Sequence, residues 1–194
     1  MKRLVAGVAI VVLAGTVFFV LRSQRDTQAI APAARSCGAA KAVIGVGQTV
    51  PGACLVEPLG GGTPVAISEI AAGKPLVVNF WASWCGACIQ EMPDLQKVYA
   101  AAAPQMQFLG LDLLGVDGEV RSAAVDFANQ RKVAYPLAYD DQGLLYGRIS
   151  LRVLPPTTAF LRGDGKLAGI HVGQMSAAEL RGYIQQFLGI QVPS

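Results

Sequence analysis

Cys85 and Cys88 lie two residues apart in the stretch FWASWCGACIQEMP, Phe80 to Pro93, behind Trp81 and Trp84, in a chain of 194 residues with four cysteines. A pair so placed has three chemistries open to it: metal binding, stapling of the fold, or thiol exchange. A structural zinc site takes four thiolate or imidazole ligands, usually as paired short spacings. Cys37 and Cys54 do not form such a pair, and the only histidine, His171, is far downstream. A disulfide across so short a ring removes little chain entropy and stabilises little. Exchange suits the spacing better. A cysteine at a helix N-terminus meets unpaired backbone N–H groups and the positive end of the helix dipole, which favour its thiolate near neutral pH. The second cysteine, one turn on, can then resolve a mixed disulfide.

The elements that must position such a pair are legible around it. Pro75 to Trp81 is a near-continuous apolar run, as in a strand buried on both faces, and the cysteines then open a helix to about Ala102, which Pro93 is expected to kink. Upstream, Leu55–Leu59 and Pro64–Ile67 flank Gly60, Gly61 and Gly62 and read as two short strands around a turn. Downstream, Met106–Asp112 reads as a strand and Glu119–Arg131 has helical spacing. Gln142–Arg148 reads as a short helix, and Thr158–Leu161 with Lys166–Val172 as a hairpin about an Asp-Gly turn. Ser176 and Glu179 form a capping box for a last helix to about Leu188. This alternation predicts an α/β layer with a central mixed sheet flanked by helices.

The 53% hydrophobic content is high for a soluble protein with 15% charged residues. Part of it lies in Leu4–Leu21, an uncharged run after Lys2 and Arg3 that as a helix would span roughly 27 Å, enough to cross a hydrocarbon core. Ending in Phe18, Phe19, Val20 and Leu21, it reads as an anchor rather than a cleaved signal, with Ala31-Pro32-Ala33 as the alternative cleavage site. The expected organisation is a signal or transmembrane anchor over 1–22, a linker over 23–40 and one domain over 41–194. The net charge of +3 does not describe that domain. Through Arg35 five basic residues face one acid, leaving eleven against twelve beyond. A slightly acidic domain lacks the electrostatic footprint of nucleic-acid binding.

VVNFWASWCGACIQEMPDL resembles the active-site segment of the TlpA/ResA family of membrane-anchored thioredoxin-like proteins. The likeness extends from about Cys54 to Leu188: PPTTAF matches that family's Pro-Thr-Thr segment, and DDQGLLYGRISLRVL the approach to it. The resemblance implies a thioredoxin-like fold with an N-terminal β-hairpin extension and an added strand and helix in the middle, carried behind one transmembrane anchor helix. It makes Cys85 the exposed nucleophile, Cys88 the buried resolving thiol and Trp84 a shield over the sulfurs. Pro156 would follow a cis bond from Pro155, with Thr157 beside it at the substrate, and Glu91 would be an acid near the thiols. One position departs from the pattern. Ala87 stands where the family commonly has proline, restoring a backbone N–H near the nucleophile, and a single hydrogen bond is enough to move such a couple between reducing and oxidising.

The resemblance therefore implies a membrane-tethered thiol-disulfide oxidoreductase on the extracytoplasmic side. Its partners would be client proteins with cysteines or disulfides and a membrane thiol electron donor or acceptor. Reduction, as of apocytochrome c, is favoured over oxidation, and no cofactor or metal is expected. A thiol-based Cu(I) carrier is the alternative of a different class, although only His171 and distant methionines could assist the cysteines. His171 itself reads as a strand surface residue. Outside the cytoplasm Cys37 and Cys54 are expected to form a structural disulfide pinning the start of the domain, with free thiols or a second redox relay as alternatives.

Overall fold

The computed structural model describes residues 37, 43–52, 54–150, 152 and 154–194. The anchor expected over 4–21 and most of the linker lie outside the described residues, and among those described no helix is long and apolar enough to cross a membrane. The chain runs β1 (Leu55–Pro58), β2 (Val65–Ala66), α1 (Ile67–Ala71), β3 (Leu76–Trp81), α2 (Gly86–Ala102), β4 (Gln107–Asp112), α3 (Arg121–Arg131) and β5 (Leu137–Tyr139). A 3-10 turn (Asp141–Gly143), α4 (Tyr146–Ile149), β6 (Thr157–Leu161), β7 (Leu167–Val172) and α5 (Ala177–Leu188) complete it.

These strands form one mixed sheet in the order β2-β1-β5-β4-β3-β6-β7. β3, β4 and β5 are parallel, while β6 runs antiparallel to β3 and β7 to β6. The expected N-terminal hairpin is the antiparallel pair β1 and β2, joined to the sheet through β5.

β3 is central because its residues are buried on both faces. Alternation sends Val77 and Trp81 into one apolar layer, with Met92, Leu95 and Val98 of α2, Phe127 of α3 and Ile184 of α5. Leu76, Val78 and Phe80 enter the other layer, with Ile67 of α1 and Tyr146 and Ile149 of α4. Asn79 falls by parity on the α2 side, a polar group inside an apolar run.

α2 buries Cys88, Glu91, Met92, Leu95, Val98 and Ala102, a helical period that lays one stripe on the sheet. Pro93 stands on its exposed side. There solvent can satisfy the Ile89 carbonyl that proline leaves without a donor, and the helix runs unbroken from Gly86 to Ala102. The Ser176–Glu179 capping box of α5 is present with both reciprocal bonds.

Three elements differ from expectation. The second hairpin strand stops at Ala66, and Ile67 opens α1 because its N–H and that of Ser68 find the Cys54 and Gly52 carbonyls. β5, three residues long, is held by pairing to β4 and β1 rather than by any pattern of its own. The helix read from Glu119 begins at Arg121, after Val120 in extended backbone, which leaves Glu119 in the preceding loop.

Candidate functional site

The cysteine loop leaves the carboxyl end of β3, where strand and helix meet. Cys85 is the N-cap of α2, and its sulfur accepts the Cys88 backbone N–H at 3.1 Å. Its own N–H returns to the Ala82 carbonyl, 3.1 Å away. Cys85 and Cys88 are disulfide-bonded, with Cα atoms 5.2 Å apart. In this oxidised state Cys85 is 5% exposed and Cys88 fully buried. Both cysteines are therefore buried, and Cys85 does not have the exposure expected of a nucleophile. Trp84 beside it is 45% exposed.

Glu91 lies one helical turn beyond Cys88 on the same buried stripe. It is 1% exposed. One carboxyl oxygen accepts from Asn79 Nδ2 at 2.8 Å, and the other from the Met175 N–H at 3.2 Å. Burial outweighs these two bonds and raises its pKa to about 7, so it can hold or release a proton near neutrality. Asn79 also donates to Thr158 Oγ1 at 3.1 Å, while its own Oδ1 has no partner. Tyr135, with an unpartnered hydroxyl, is pushed up by burial and secondarily by the Glu91 charge.

Antiparallel pairing of β6 with β3 sets Thr157 opposite Phe80, so the residue before it, Pro156, arrives at the edge from which the cysteine loop departs. The Pro155–Pro156 peptide bond is cis. The Pro156 carbonyl accepts the Gly173 N–H at 2.8 Å, tying this segment to the end of β7. Thr157 is placed differently from the substrate contact expected of it. It is fully buried; its hydroxyl donates to the Leu154 carbonyl at 2.8 Å and lies 3.0 Å from the Tyr146 hydroxyl. Its side chain therefore holds the loop before the cis bond. Exposed apolar side chains at this edge are instead Trp84, Leu154 and Val172.

Cys37 and Cys54 are joined by a second disulfide, both buried in the layer opposite Cys85 and Cys88. His171 does not lie free on the strand surface: it is half-buried, with its ring 4.6 Å from that of Tyr183. Among the described residues no group of three or more His, Cys, Asp or Glu is arranged to hold a metal. The site thus gathers Cys85, Cys88, Glu91, Trp84 and the Pro155–Pro156 bond. It adds Asn79 and Met175, which no local pattern marks: Asn79 is one polar residue in an apolar strand, and Met175 acts through its backbone.

A family model described as Redoxin matches residues 45–184. Thiol-disulfide oxidoreductase ResA of Bacillus cereus is 30% identical over 115 residues, 59% of this chain and 64% of that protein. The chain thus spans just under two thirds of that relative's length. A secreted Mycobacterium tuberculosis disulfide oxidoreductase, described as homologous to E. coli DsbE, shares the fold with a TM-score of 0.58 and 27% identity, over 68% of this chain and 94% of that one. The exposed lipoprotein thioredoxin of Streptococcus pneumoniae strain TIGR4 gives 0.57 and 29%, over 68% and 97%. The sheet, with Cys85 capping α2, is a thioredoxin-like α/β fold, and with the match spanning residues 45–184, most of the chain, this protein belongs to the Redoxin family.

Proposed function

We propose that the chain is a thiol-disulfide oxidoreductase that exchanges electrons with client-protein cysteines through Cys85 and Cys88. In this reading it works on the extracytoplasmic side of a membrane, tethered by residues 4–21, as a reductase of clients such as apocytochrome c. The observation that carries the proposal is a disulfide at the N-cap of α2 with Glu91 buried one turn below it.

In the reductive direction the Cys85 thiolate attacks one sulfur of a client disulfide. A Cys85–client bond forms, the client bond breaks, and the released client thiolate takes a proton from solvent. Cys88 passes its proton to the Glu91 carboxylate, and the resulting thiolate attacks the Cys85 sulfur. The Cys85–Cys88 bond closes, and the second client thiolate leaves and is protonated. The client has gained two electrons and two protons; a membrane dithiol donor restores the pair by the same steps in reverse. With a pKa of about 7, Glu91 suits the proton transfer, since a carboxyl near that value both accepts and releases a proton at neutral pH. Trp84, Leu154 and Val172 supply the apolar face on which the client segment rests, and Pro156 borders it.

The reverse direction has one observation in its favour. The Cys88 N–H at 3.1 Å from the Cys85 sulfur would stabilise a thiolate there and so favour the reduced protein, as in an oxidase. Equilibration of the chain with glutathione buffers separates the two. A reductase gives a potential below roughly −200 mV, whereas an oxidase approaches about −120 mV. Failure of the pair to exchange with glutathione at all would refute thiol-disulfide exchange as the function.

A further inference from the structure

A buried carboxylate on the far side of the cysteine loop, Glu119, has no part in the steps above. It is 3% exposed. One of its oxygens accepts both the backbone N–H and the hydroxyl of Ser83, each at 2.9 Å, and the other has no partner. Ser83 stands two residues before Cys85, where the chain turns from β3 into α2. The carboxylate is aimed there by a tight turn: the Glu119 N–H donates to Val116 O and its carbonyl accepts from Gly115 N–H, both at 3.0 Å. Gly115, Asp117 and Gly118 have φ of 80°, 47° and 84° within that turn.

No ion pair to Glu119 is formed among the described residues. Among the described residues the nearby guanidinium, Arg121 of α3, is committed to Glu57 of β1 through two bonds of 2.8 and 2.7 Å and lies over the Tyr139 ring of β5. Asp112, the last residue of β4 and the register partner of Trp81, is fully buried with both carboxyl oxygens unpartnered. Burial, then the charges of Glu119 and Asp140, raise its pKa to about 8, so it is neutral at pH 7.

We propose that Glu119 is a positioning residue for the exchange reaction: through Ser83 it fixes how the chain enters α2, and hence where the Cys85 sulfur meets the helix N–H groups, while its charge opposes the Cys85 thiolate. This rests on the function proposed above and adds to it a residue that touches neither sulfur. A carboxylate receiving two donors from one serine is a directional clamp, since rotation of the Ser83 peptide would cost both bonds together.

Two properties of full-length variants test it: the rate at which Cys85 exchanges with oxidised glutathione, and the pH midpoint of Cys85 alkylation. Glu119→Ala releases the clamp and is expected to slow exchange about tenfold, the worth of hydrogen bonds to a charged group. Glu119→Gln keeps an oxygen for Ser83 and removes the charge, so exchange should return to within about twofold of the parent while the midpoint moves to lower pH. Ser83→Ala, which loses only the hydroxyl bond, should fall between parent and Glu119→Ala. A role in fold stability alone would lower the melting temperature and leave the midpoint in place, which overturns the proposal. So does a Glu119→Gln variant as slow as Glu119→Ala. Should Glu119→Ala fail to fold, parental rates and midpoints in both Ser83→Ala and Glu119→Gln overturn it equally. A parent chain that never exchanges with glutathione refutes the function itself; a parent that exchanges while every variant matches it refutes the clamp alone.

Discussion

Replacing Glu91 by glutamine should change how stability of the oxidised protein depends on pH. Burial raises the Glu91 pKa from 4.5 to about 7. A carboxyl whose pKa is raised by folding binds its proton more tightly in the folded state, so its contribution is fully present below about pH 4.5 and is lost as pH rises through about 7. That difference corresponds to about 3 kcal/mol in all, of which about 2.5 kcal/mol should disappear between about pH 5 and pH 8. Glu91→Gln cannot ionise. Its amide oxygen can still accept from Asn79 or Met175, and its amide nitrogen can donate to the Asn79 oxygen that now lacks a partner. Asp112 and Asp140 also have raised pKa values, so the whole protein loses stability in the same direction and the parent curve alone does not isolate Glu91. The informative quantity is the difference between parent and variant in denaturant unfolding, measured at several pH values. The parent should lose about 2.5 kcal/mol more than the variant across that window. Parallel curves would refute the reasoning, and would mean that Glu91 is ionised without penalty despite its burial.

Cys88→Ala should accumulate a mixed disulfide with client peptide through Cys85, while Cys85→Ala should accumulate none; non-reducing electrophoresis with mass spectrometry reads both, and trapping through Cys88 would reverse the assignment. The double variant Cys37→Ala/Cys54→Ala should lose about 3 kcal/mol of unfolding free energy, from the entropy of closing a loop across a separation of 17 residues. A loss under about 1 kcal/mol would make that bridge incidental to stability. Cell fractionation should leave the full chain in the membrane fraction with its domain open to protease added from outside, whereas a soluble mature form beginning near Ala34 would show residues 4–21 to be a cleaved signal.

Local chemistry determined much of this protein. The apolar run Pro75–Trp81 had no stable place except a strand covered on both faces, and the cysteine spacing, followed by residues of helical period, put one sulfur at an N-cap and the other one turn on. The Ser176–Glu179 box and the Asp-Gly turn are likewise short-range devices whose partners lie within a few residues, so they are legible wherever they occur. Tertiary structure decided what surrounds the sulfurs. Glu91 stands three residues after Cys88 in any helix, but its raised pKa comes from burial in the folded layer, partly offset by bonds from Asn79, 12 residues before it, and Met175, 84 residues after it. Thr157 reads as part of a substrate segment, yet its hydroxyl turns to Tyr146, a partner that only the packing of α4 beneath β6 supplies. Glu119 was legible only as an acid at the head of a helix. The fold instead begins that helix two residues later in the chain and sets the carboxylate against Ser83, 36 residues upstream. Periodicity records which face a residue occupies; which groups meet across faces depends on strand order and on loops whose hydrogen bonds close between distant segments, and no window of sequence contains both partners.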